Sequence, residues 1–425
     1  MKYIQSFYNI IVSKDRDNVY LYNSFSGALA KIENAVYSII EKEVLDDANL
    51  YPYFSELLKQ GFIKPLGLNE YNKILMTERS AIYEGSEEKL TFVIAPTLAC
   101  NLNCVYCFEN GYRNKKTMSE ETLDEVIKFI ENKLKNQTKA IHITWFGGEP
   151  LLAYNVIVEF NKKLKPIIEN KGTNYTSSMI SNGILLTEEK AKYLAENCNL
   201  QNVQITIDGS EEVYCKQKGA TSQQFKQVLQ NIKTTVKYCR VAVRLNCGKN
   251  NYEDIVSIAY KIVGLCGETK NLNLYLAKLV DYTCSCDTSY FSQEEFDIKS
   301  IEFNRYISNL LMREYKPKIP KYRKNFCGLY KLKNLVIGPD GEFYKCEHHV
   351  GRDEKVIGNV QQGLFYTDEM VDFLNNRMYA KCKECKLFPL CIGGCPAQKQ
   401  DLREGEACNL SLEYIKQILC NYIKD

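Results

Sequence analysis

The pattern of hydrophobic and polar positions divides the chain into three regions. Residues 1 to about 80 carry short alternating runs, residues from about 90 to 280 carry apolar runs spaced by amphipathic stretches, and the end is rich in cysteine. The middle pattern predicts parallel strands joined by crossover helices, which curl into a partial (β/α)6 barrel of the α/β class. Its predicted strands span 91–97, 140–146, 175–180, 202–207, 241–246 and 272–279.

Two capping patterns mark helix starts in this frame. Thr117-x-x-Glu120 predicts the start of the first crossover helix, and Ser292-x-x-Glu295 predicts a helix over 292–314 beyond the last strand. The N-terminal region has its own alternation, with turn-forming residues between short runs. It predicts strands over 8–12, 19–22 and 28–32, helices over 33–43 and 51–60, and a last strand over 62–65 after a left-handed cap at Gly61.

Length and charge limit the classes of protein that fit this pattern. A chain of 425 residues is too long for a single hydrophobic core. We expect domains over 1–80, 88–285 and 327–425, with a bridging helical region over 286–326. The 55 basic and 52 acidic residues are mixed along the chain, which argues against nucleic acid as a partner. The first residues lack the basic segment and apolar run of a signal peptide, and no apolar run reaches about 18 residues. We therefore expect a cytoplasmic protein without a membrane partner.

The 18 cysteines are not expected to form disulfides, because a reducing compartment keeps thiols reduced. Their grouping along the chain indicates that many of them are metal ligands. Cys100, Cys104 and Cys107 directly follow the first predicted strand, and thiolates are soft ligands that suit iron–sulfur clusters. Three thiols leave one iron of a cubane cluster open. A structural zinc site is the alternative, although zinc normally takes four ligands and no fourth ligand lies nearby.

This C-x3-C-x2-C motif, followed by Phe108, resembles the signature of the radical SAM superfamily. The resemblance implies a [4Fe-4S] cluster whose open iron chelates S-adenosylmethionine (SAM), with Tyr106 and Phe108 beside the ligand. It also implies SAM-binding residues at the other strand ends. These are Gly147, Gly148 and Glu149 for the amino group, together with Ser181, Thr206, Lys218 and Arg244.

The residue types at these strand ends fit such a role. Two glycines let the backbone approach a ligand closely, and Glu149 can accept a hydrogen bond from an ammonium. Lys218 stands where many relatives carry arginine, so it offers a point charge in place of a bidentate fork. Arg244 is expected to face the barrel interior and needs an anion, either the SAM carboxylate or a barrel carboxylate. We expect His142, on the second strand, to pack in the core.

The C-terminal cysteines follow the order G-x4-C, C-x2-C-x5-C-x3-C, C, which resembles the SPASM domain of radical SAM peptide maturases. The resemblance implies two auxiliary [4Fe-4S] clusters, and therefore three clusters in all. One auxiliary cluster is expected on Cys382, Cys385, Cys391 and Cys408, and the other on Cys327, Cys346 and Cys395. A further cysteine of some relatives is replaced by Lys321, so this second cluster has an open iron or is closed by Cys284, Cys286 or Cys420. A zinc ribbon over 382–395 is the competing interpretation.

Glu347 follows Cys346 directly, and related sulfatase maturases use an acidic residue at this place as proton acceptor. We therefore predict Glu347 as a catalytic base beside an auxiliary cluster. Adjacent side chains point in different directions, so at most one of His348 and His349 is expected to share the site. The resemblance also implies that reduced cluster splits SAM into methionine and a 5′-deoxyadenosyl radical, which abstracts hydrogen from unactivated carbon.

These features together predict a maturase that crosslinks a ribosomally made precursor peptide, with a Cys sulfur-to-carbon thioether as the preferred product. The N-terminal region resembles a winged-helix leader-peptide recognition domain, which captures a Cys-containing precursor as an added strand. A domain that merely packs on the barrel is the alternative. A low-potential donor such as flavodoxin or ferredoxin is expected. The other functions left open are an anaerobic sulfatase maturase forming formylglycine, a carbon–carbon linking maturase, a cluster-carrying electron-transfer protein and a nucleic-acid-binding zinc protein.

Overall fold

The computed structural model describes residues 2–42, 44–45, 52–83, 88–112, 114–280, 290–324, 326–375, 380–401, 408 and 410–424. Over these residues the chain forms two small sheets near its N-terminus and one ten-stranded sheet. The predicted candidate ligands Cys284 and Cys286 lie outside the described residues. Within this described part of the chain, every helix is too short or too polar to cross a membrane.

The N-terminal region contains β1 (Tyr3–Gln5), β2 (Asn9–Lys14), β3 (Asn18–Asn23), β4 (Leu29–Glu33), α1 (Asn34–Ile40), α2 (Phe54–Lys59), β5 (Ile63–Pro65) and α3 (Glu70–Tyr83). β2, β3 and β4 form an antiparallel sheet, and β5 pairs with β1. Alternate residues of β3, such as Val19 and Leu21, pack with Leu57 of α2 in one buried cluster. Gly61 has a φ of +79°, as the predicted left-handed cap requires. The sequence pattern did not predict β1 or α3.

The middle region contains β6 (Lys89–Ile94), α4 (Glu120–Lys133), β7 (Ala140–Trp145), α5 (Tyr154–Asn170), β8 (Asn174–Ser181), α6 (Glu188–Asn197), β9 (Leu200–Ile207), α7 (Glu211–Lys218), α8 (Ser222–Thr235), β10 (Arg240–Cys247), α9 (Tyr252–Cys266) and β11 (Leu272–Lys278). The strands β6 to β11 lie side by side in chain order, and each neighbouring pair is parallel. The predicted parallel α/β sheet is therefore confirmed, with strand bounds within about three residues of the predicted ones.

The cap of the first crossover helix lies two residues later than predicted. Ser119 caps α4, because its side chain accepts a hydrogen bond from Thr122 N–H. The predicted cap at Thr117 is wrong, since Thr117 instead meets Thr97, with 2.9 Å between the two hydroxyl oxygens. The buried face of α4 includes Val126 and Ile130, spaced by one helical turn.

The C-terminal region contains α10 (Gln293–Leu310), β12 (Leu335–Ile337), β13 (Glu342–Tyr344), β14 (Gly358–Asn359), β15 (Gly363–Leu364), α11 (Asp368–Asn375), α12 (Phe388–Cys391), α13 (Pro396–Asp401) and α14 (Leu412–Lys424). Ser292 and Glu295 form the predicted capping box of α10. β12 pairs in parallel with β6, and β13 to β15 continue the same sheet. Val336 and Tyr344 pack with Val93 of β6, so the segment after β13 lies against the strands that carry the site.

Candidate active site

A cavity of about 400 Å³ opens where the parallel strands end. Cavities of this size hold ligands as large as SAM. The wall is built from the loops after β6 and β7, the ends of β8 to β11 and the segment after β13. Most of the predicted site residues line it together: Cys100, Cys104, Tyr106, Cys107, Phe108, Gly147, Gly148, Ser181, Thr206, Lys218, Arg244 and Glu347.

The turn after β7 holds the loop that carries the three cysteines. Glu149 N–H donates a hydrogen bond to Ala99 O at 2.8 Å. Gly147 has a φ of +116°, and a Cβ on Gly148 would lie only 2.6 Å from Leu98 O. Both positions need glycine, because a side chain at either one would strain the backbone or push the cysteine loop away.

Glu149 lies behind the wall of the cavity and does not line it. Its buried carboxylate accepts hydrogen bonds from Ser181 Oγ at 2.9 Å, from Asn182 N–H at 2.8 Å and from Leu151 N–H at 3.0 Å. Burial raises the pKa of the Glu149 carboxyl, and these hydrogen bonds oppose the rise. Glu149 thus fixes the turn of Ser181 and Asn182 at the cavity edge, and its contact with an ammonium stays a prediction.

A buried polar network ties the cysteine loop to the barrel. Tyr106 Oη donates to Asp208 Oδ2 at 2.5 Å, and Asn246 Nδ2 donates to Asp208 Oδ1 at 3.1 Å. Lys218 Nζ donates to Thr206 Oγ1 at 2.8 Å and lies 3.5 Å from Asp208 Oδ2. The two positions transferred from the family, Thr206 and Lys218, therefore do meet. The Lys218 charge is already paired with a carboxylate of the protein.

Arg244 and Glu347 line the same cavity. Arg244 Nε donates to Asn246 Oδ1 at 3.0 Å. Burial raises the pKa of the Glu347 carboxyl, and the nearby Arg244 guanidinium opposes the rise. A carboxyl with a raised pKa accepts a proton more readily than an ordinary glutamate, which fits the predicted role of Glu347 as a base.

The two histidines after Glu347 point to different places. The His348 ring stacks on Phe108, with 4.0 Å between ring centroids, and lines the cavity. Burial is the main cause that lowers the pKa of His348 to about 4, so the stacked ring is neutral near neutral pH. His349 is fully buried and meets the edge of Phe373 at 5.8 Å. Only His348 shares the site.

The three cysteines after β6 lie close enough to influence one another. Burial is the main cause that raises the pKa of Cys104 to about 11, and the charges of Cys107 and Cys100 add to it. Bound iron reverses this tendency, because metal coordination deprotonates a thiol outright. The donor set of three half-buried soft ligands lining the cavity fits a [4Fe-4S] cluster with one open iron.

Within each of the two predicted C-terminal sets, cysteines contribute to the pKa shift of another member, and their assignment as cluster ligands stays a prediction. Burial is the main cause that raises the pKa of Cys346, and Cys395 and Cys327 contribute to it. In the other set, the charges of three cysteines contribute to the pKa shift of Cys391. Burial raises its pKa to about 12, with added contributions from Cys385, Cys382 and Cys408. The thiols of each set therefore lie near one another, as shared cluster ligands must.

Among the described residues, no three His, Cys, Asp or Glu side chains are arranged to hold one metal ion. A cubane cluster carries each thiolate on a separate iron, so its thiolates lie farther apart than the ligands of one zinc ion. Cys420, a predicted candidate to close the Cys327 cluster, lies instead against β2, with Sγ 3.9 Å from Val12 O.

His142 does not pack in an apolar core as predicted. Its Nδ1 lies 2.8 Å from Thr176 Oγ1 and its Nε2 lies 2.9 Å from Ser178 Oγ. Burial lowers the pKa of this imidazole, as does the charge of Lys89. The ring is therefore part of a hydrogen-bonded row between β7 and β8.

Sequence reasoning missed three buried polar residues of the site. Asp208 had a usable signal, because an acidic residue at the end of a barrel strand faces the functional end of the sheet. For Asn246 and Lys345, the sequence contains no comparable signal of a role in the site. Lys345 Nζ donates to Asn334 O at 2.6 Å, and its charge lies beside Cys327 and Cys346. Burial lowers the pKa of Lys345 to about 7.

Known proteins are similar to this chain over the region that carries the parallel strands and the first cysteine set. The sequence profile described as the radical SAM superfamily matches residues 94–297. A cysteine-type anaerobic sulfatase-maturating enzyme of Clostridium perfringens is 28% identical over 377 residues, which cover 76% of this chain and 92% of that enzyme.

Two solved structures resemble the fold. The structure of anSMEcpe with bound AdoMet and Cp18Cys peptide aligns with a TM-score of 0.55 at 22% identity, over 79% of this chain and 96% of that one. Streptococcus suis SuiB bound to precursor peptide SuiA aligns with a TM-score of 0.54 at 14% identity, over 96% of this chain and 98% of that one. At these identities the likeness concerns the fold.

Proposed function

The chain carries a radical SAM domain and is homologous to the anaerobic sulfatase maturases, and from this premise we propose that it crosslinks a Cys-containing precursor peptide through a thioether. As a radical SAM enzyme it uses SAM and a [4Fe-4S] cluster, for which Cys100, Cys104 and Cys107 are the proposed ligands. The other two cysteine sets are proposed to hold auxiliary clusters. A flavodoxin or ferredoxin is the proposed electron donor.

One observation carries the proposal: Glu347, next to Cys346, lines the same cavity as the first cysteine set. The proposed auxiliary cluster on Cys327, Cys346 and Cys395 therefore adjoins the place where SAM is expected. A peptide in this cavity would have a carbon near SAM and a sulfur near Glu347 at the same time. Holding two reacting groups in one site is what crosslinking requires.

The bound cofactors supply a 5′-deoxyadenosyl radical that takes one hydrogen atom from carbon, and an acceptor for the electron released when the C–S bond closes. Glu347 Oε takes the proton of the substrate thiol, so the product lacks two hydrogen atoms relative to the peptide. Arg244 stabilises the Glu347 carboxylate before the transfer. Phe108 and His348 form a stacked aromatic wall that keeps water from the radical.

The proposed peptide-recognition surface is the free edge of β4 together with α2. Among the described strands, β4 pairs only with β3, so its other edge offers backbone hydrogen bonds to an added strand. A cavity of about 190 Å³ runs between β4 and α2. Its apolar floor includes Ile32, Leu57 and Phe62, and its rim carries Lys31 and Glu56. These features support an extended peptide as the occupant.

The proposal is tested with purified protein, reconstituted with iron and sulfide and reduced without oxygen. With SAM and a short Cys-containing peptide encoded beside this protein, we expect 5′-deoxyadenosine and a peptide that has lost two hydrogen atoms per crosslink. Thiol-alkylating reagent should no longer label the crosslinked cysteine. Intact SAM under these conditions would contradict a radical SAM reaction, and cleavage with every peptide thiol still free would contradict the thioether.

The recognition surface is tested separately by peptide binding. Leu57→Asp places a charge in the groove floor and is expected to weaken binding of the fluorescently labelled leader at least tenfold, the effect of about 1.4 kcal/mol. Leu66→Asp is the matched control, because Leu66 is 48% exposed and lies outside the groove. Equal binding by both variants would contradict recognition at β4 and α2.

Sulfatase maturation is the second candidate, favoured by the 28% identity that extends over 92% of a cysteine-type maturase. The products separate the two functions. A maturase of that type replaces the cysteine sulfur of its peptide by a carbonyl oxygen, whereas a thioether keeps the sulfur. Offering a sulfatase-derived Cys peptide in the same assay decides between them, because loss of sulfur from this peptide would favour the second candidate.

A further inference from the structure

The N-terminal domain covers one of the C-terminal cysteine sets. Tyr8, at the start of the N-terminal sheet, packs with Ile74 of α3 and with Cys382, Phe388 and Ile392 in one buried cluster. Tyr8 is 1% exposed and Cys382 is 6% exposed. Two parts of the chain that are more than 300 residues apart in sequence thus share one apolar core around a proposed cluster ligand.

The N-terminal domain also holds the backbone between the cysteines of this set. Lys386, in the five-residue loop between Cys385 and Cys391, donates through Nζ to Asn9 O at 2.8 Å. Its carbonyl oxygen accepts a hydrogen bond from Ser24 Oγ. In the same loop the Phe388 ring lies 5.0 Å from the ring of Tyr71 on α3. The loop is therefore fixed from the N-terminal side at its backbone and at its side chains.

The Tyr8 hydroxyl is a buried donor that lacks an acceptor among the described residues. Leaving such a group unpaired costs about 1–3 kcal/mol, so an acceptor is expected where the hydroxyl points. Cys385 packs against the buried cluster that contains Tyr8. Burial is the main cause that raises the pKa of Tyr8, and the charges of Glu70, Tyr71 and Cys385 add to the rise in that order. The sulfur atoms of a cluster held by Cys385 would supply acceptors next to this hydroxyl.

We propose that the N-terminal domain forms the outer wall of the cluster site on Cys382, Cys385, Cys391 and Cys408, and that Tyr8 donates its O–H to a sulfur of that cluster. This inference rests on the proposed function, because it needs the auxiliary cluster to be present. It gives the domain a second task besides peptide recognition. Hydrogen bonds to sulfur and exclusion of solvent are two of the factors that set the reduction potential of such clusters.

The variant Tyr8→Phe tests the hydrogen bond, because it removes one oxygen atom and keeps the ring. We expect unchanged iron content and a more negative reduction potential for one of the three clusters in an anaerobic titration followed by electron paramagnetic resonance. The other two potentials should stay as in the wild type. Tyr37→Phe is the matched control, since Tyr37 is a buried tyrosine of the same domain in a cluster without cysteines. Unchanged potentials for all three clusters in Tyr8→Phe would overturn the hydrogen bond.

A second variant tests the wall. The ring centroids of Phe25 and Tyr8 lie 6.0 Å apart. The variant Phe25→Ala removes part of the apolar cover and leaves every cysteine unchanged. We expect this variant to lose iron in air faster than the wild type and the Tyr37→Phe control. Equal loss would overturn the covering role. A wild-type protein that binds about 4 iron atoms instead of about 12 would defeat the auxiliary clusters of the proposed function themselves, whereas full iron content with unchanged variants defeats this inference alone.

Discussion

Gly148→Ala tests whether contact between the turn after β7 and the cysteine loop positions the site. The added Cβ would lie 2.6 Å from Leu98 O and closer still to Ala99 O, and both contacts are with backbone. Ordinary contact begins at 3.4 Å, so the two segments must separate by about 1 Å. Overpacking of this kind costs about 1–3 kcal/mol. A displacement of 1 Å in a catalytic group lowers the rate by about 100-fold.

The assay measures 5′-deoxyadenosine formed by reduced protein and SAM, together with the temperature of unfolding. We expect Gly148→Ala to unfold earlier and to cleave SAM about 100-fold more slowly than the wild type. Gly264→Ala is the control, because Gly264 is an exposed residue of α9 whose added Cβ meets nothing within 4 Å. Alanine there gains about 1 kcal/mol of helix propensity. Equal cleavage rates in the two variants would refute the positioning argument.

Three further predictions concern buried carboxyl groups. Asp208→Asn removes a charge that binds Tyr106 and should weaken SAM binding about tenfold by calorimetry, whereas unchanged affinity would count against the network. Glu347→Gln should keep 5′-deoxyadenosine formation and lose at least 90% of the crosslinking, and a fully active variant would remove Glu347 as the base. Burial raises the pKa of Glu78, so the stability that this group contributes is present below its unfolded pKa and lost as pH rises through its folded one. Glu78→Gln should therefore raise the unfolding temperature at pH 7 more than at pH 4, and the reverse order would contradict this.

The parallel sheet could be predicted from the sequence because its strands alternate buried apolar residues, such as Ile141, Ile143 and Trp145 of β7, with less buried ones, and amphipathic helices separate the strands. The missed helix α3 shows the opposite case. Its buried face consists of Glu70, Ile74, Glu78 and Ile82, spaced by four residues. Two of these four positions are glutamates, so a search for hydrophobic periodicity does not find the stripe. The missed strand β1 has three residues, and its partner β5 lies some 60 residues away.

The site was predictable only where one motif carried the chemistry. Cysteine spacing indicated the first proposed ligand set, and the resemblance of the C-terminal motif to a known domain indicated the other two, because soft ligands stand at short intervals there. The roles of Glu149 and Asp208 depend on partners from other strands, which spacing does not reveal. The extension of the barrel sheet by β12 and β13 was likewise hidden, since three-residue strands carry almost no pattern. That extension is what brings Glu347 to the cavity.

The most direct test of the central claim replaces Cys100, Cys104 and Cys107 together by alanine and measures 5′-deoxyadenosine after anaerobic reduction with SAM. We expect this variant to keep the iron of the other two cysteine sets and to form no 5′-deoxyadenosine. Formation at the wild-type rate would contradict the assignment of SAM cleavage to this loop.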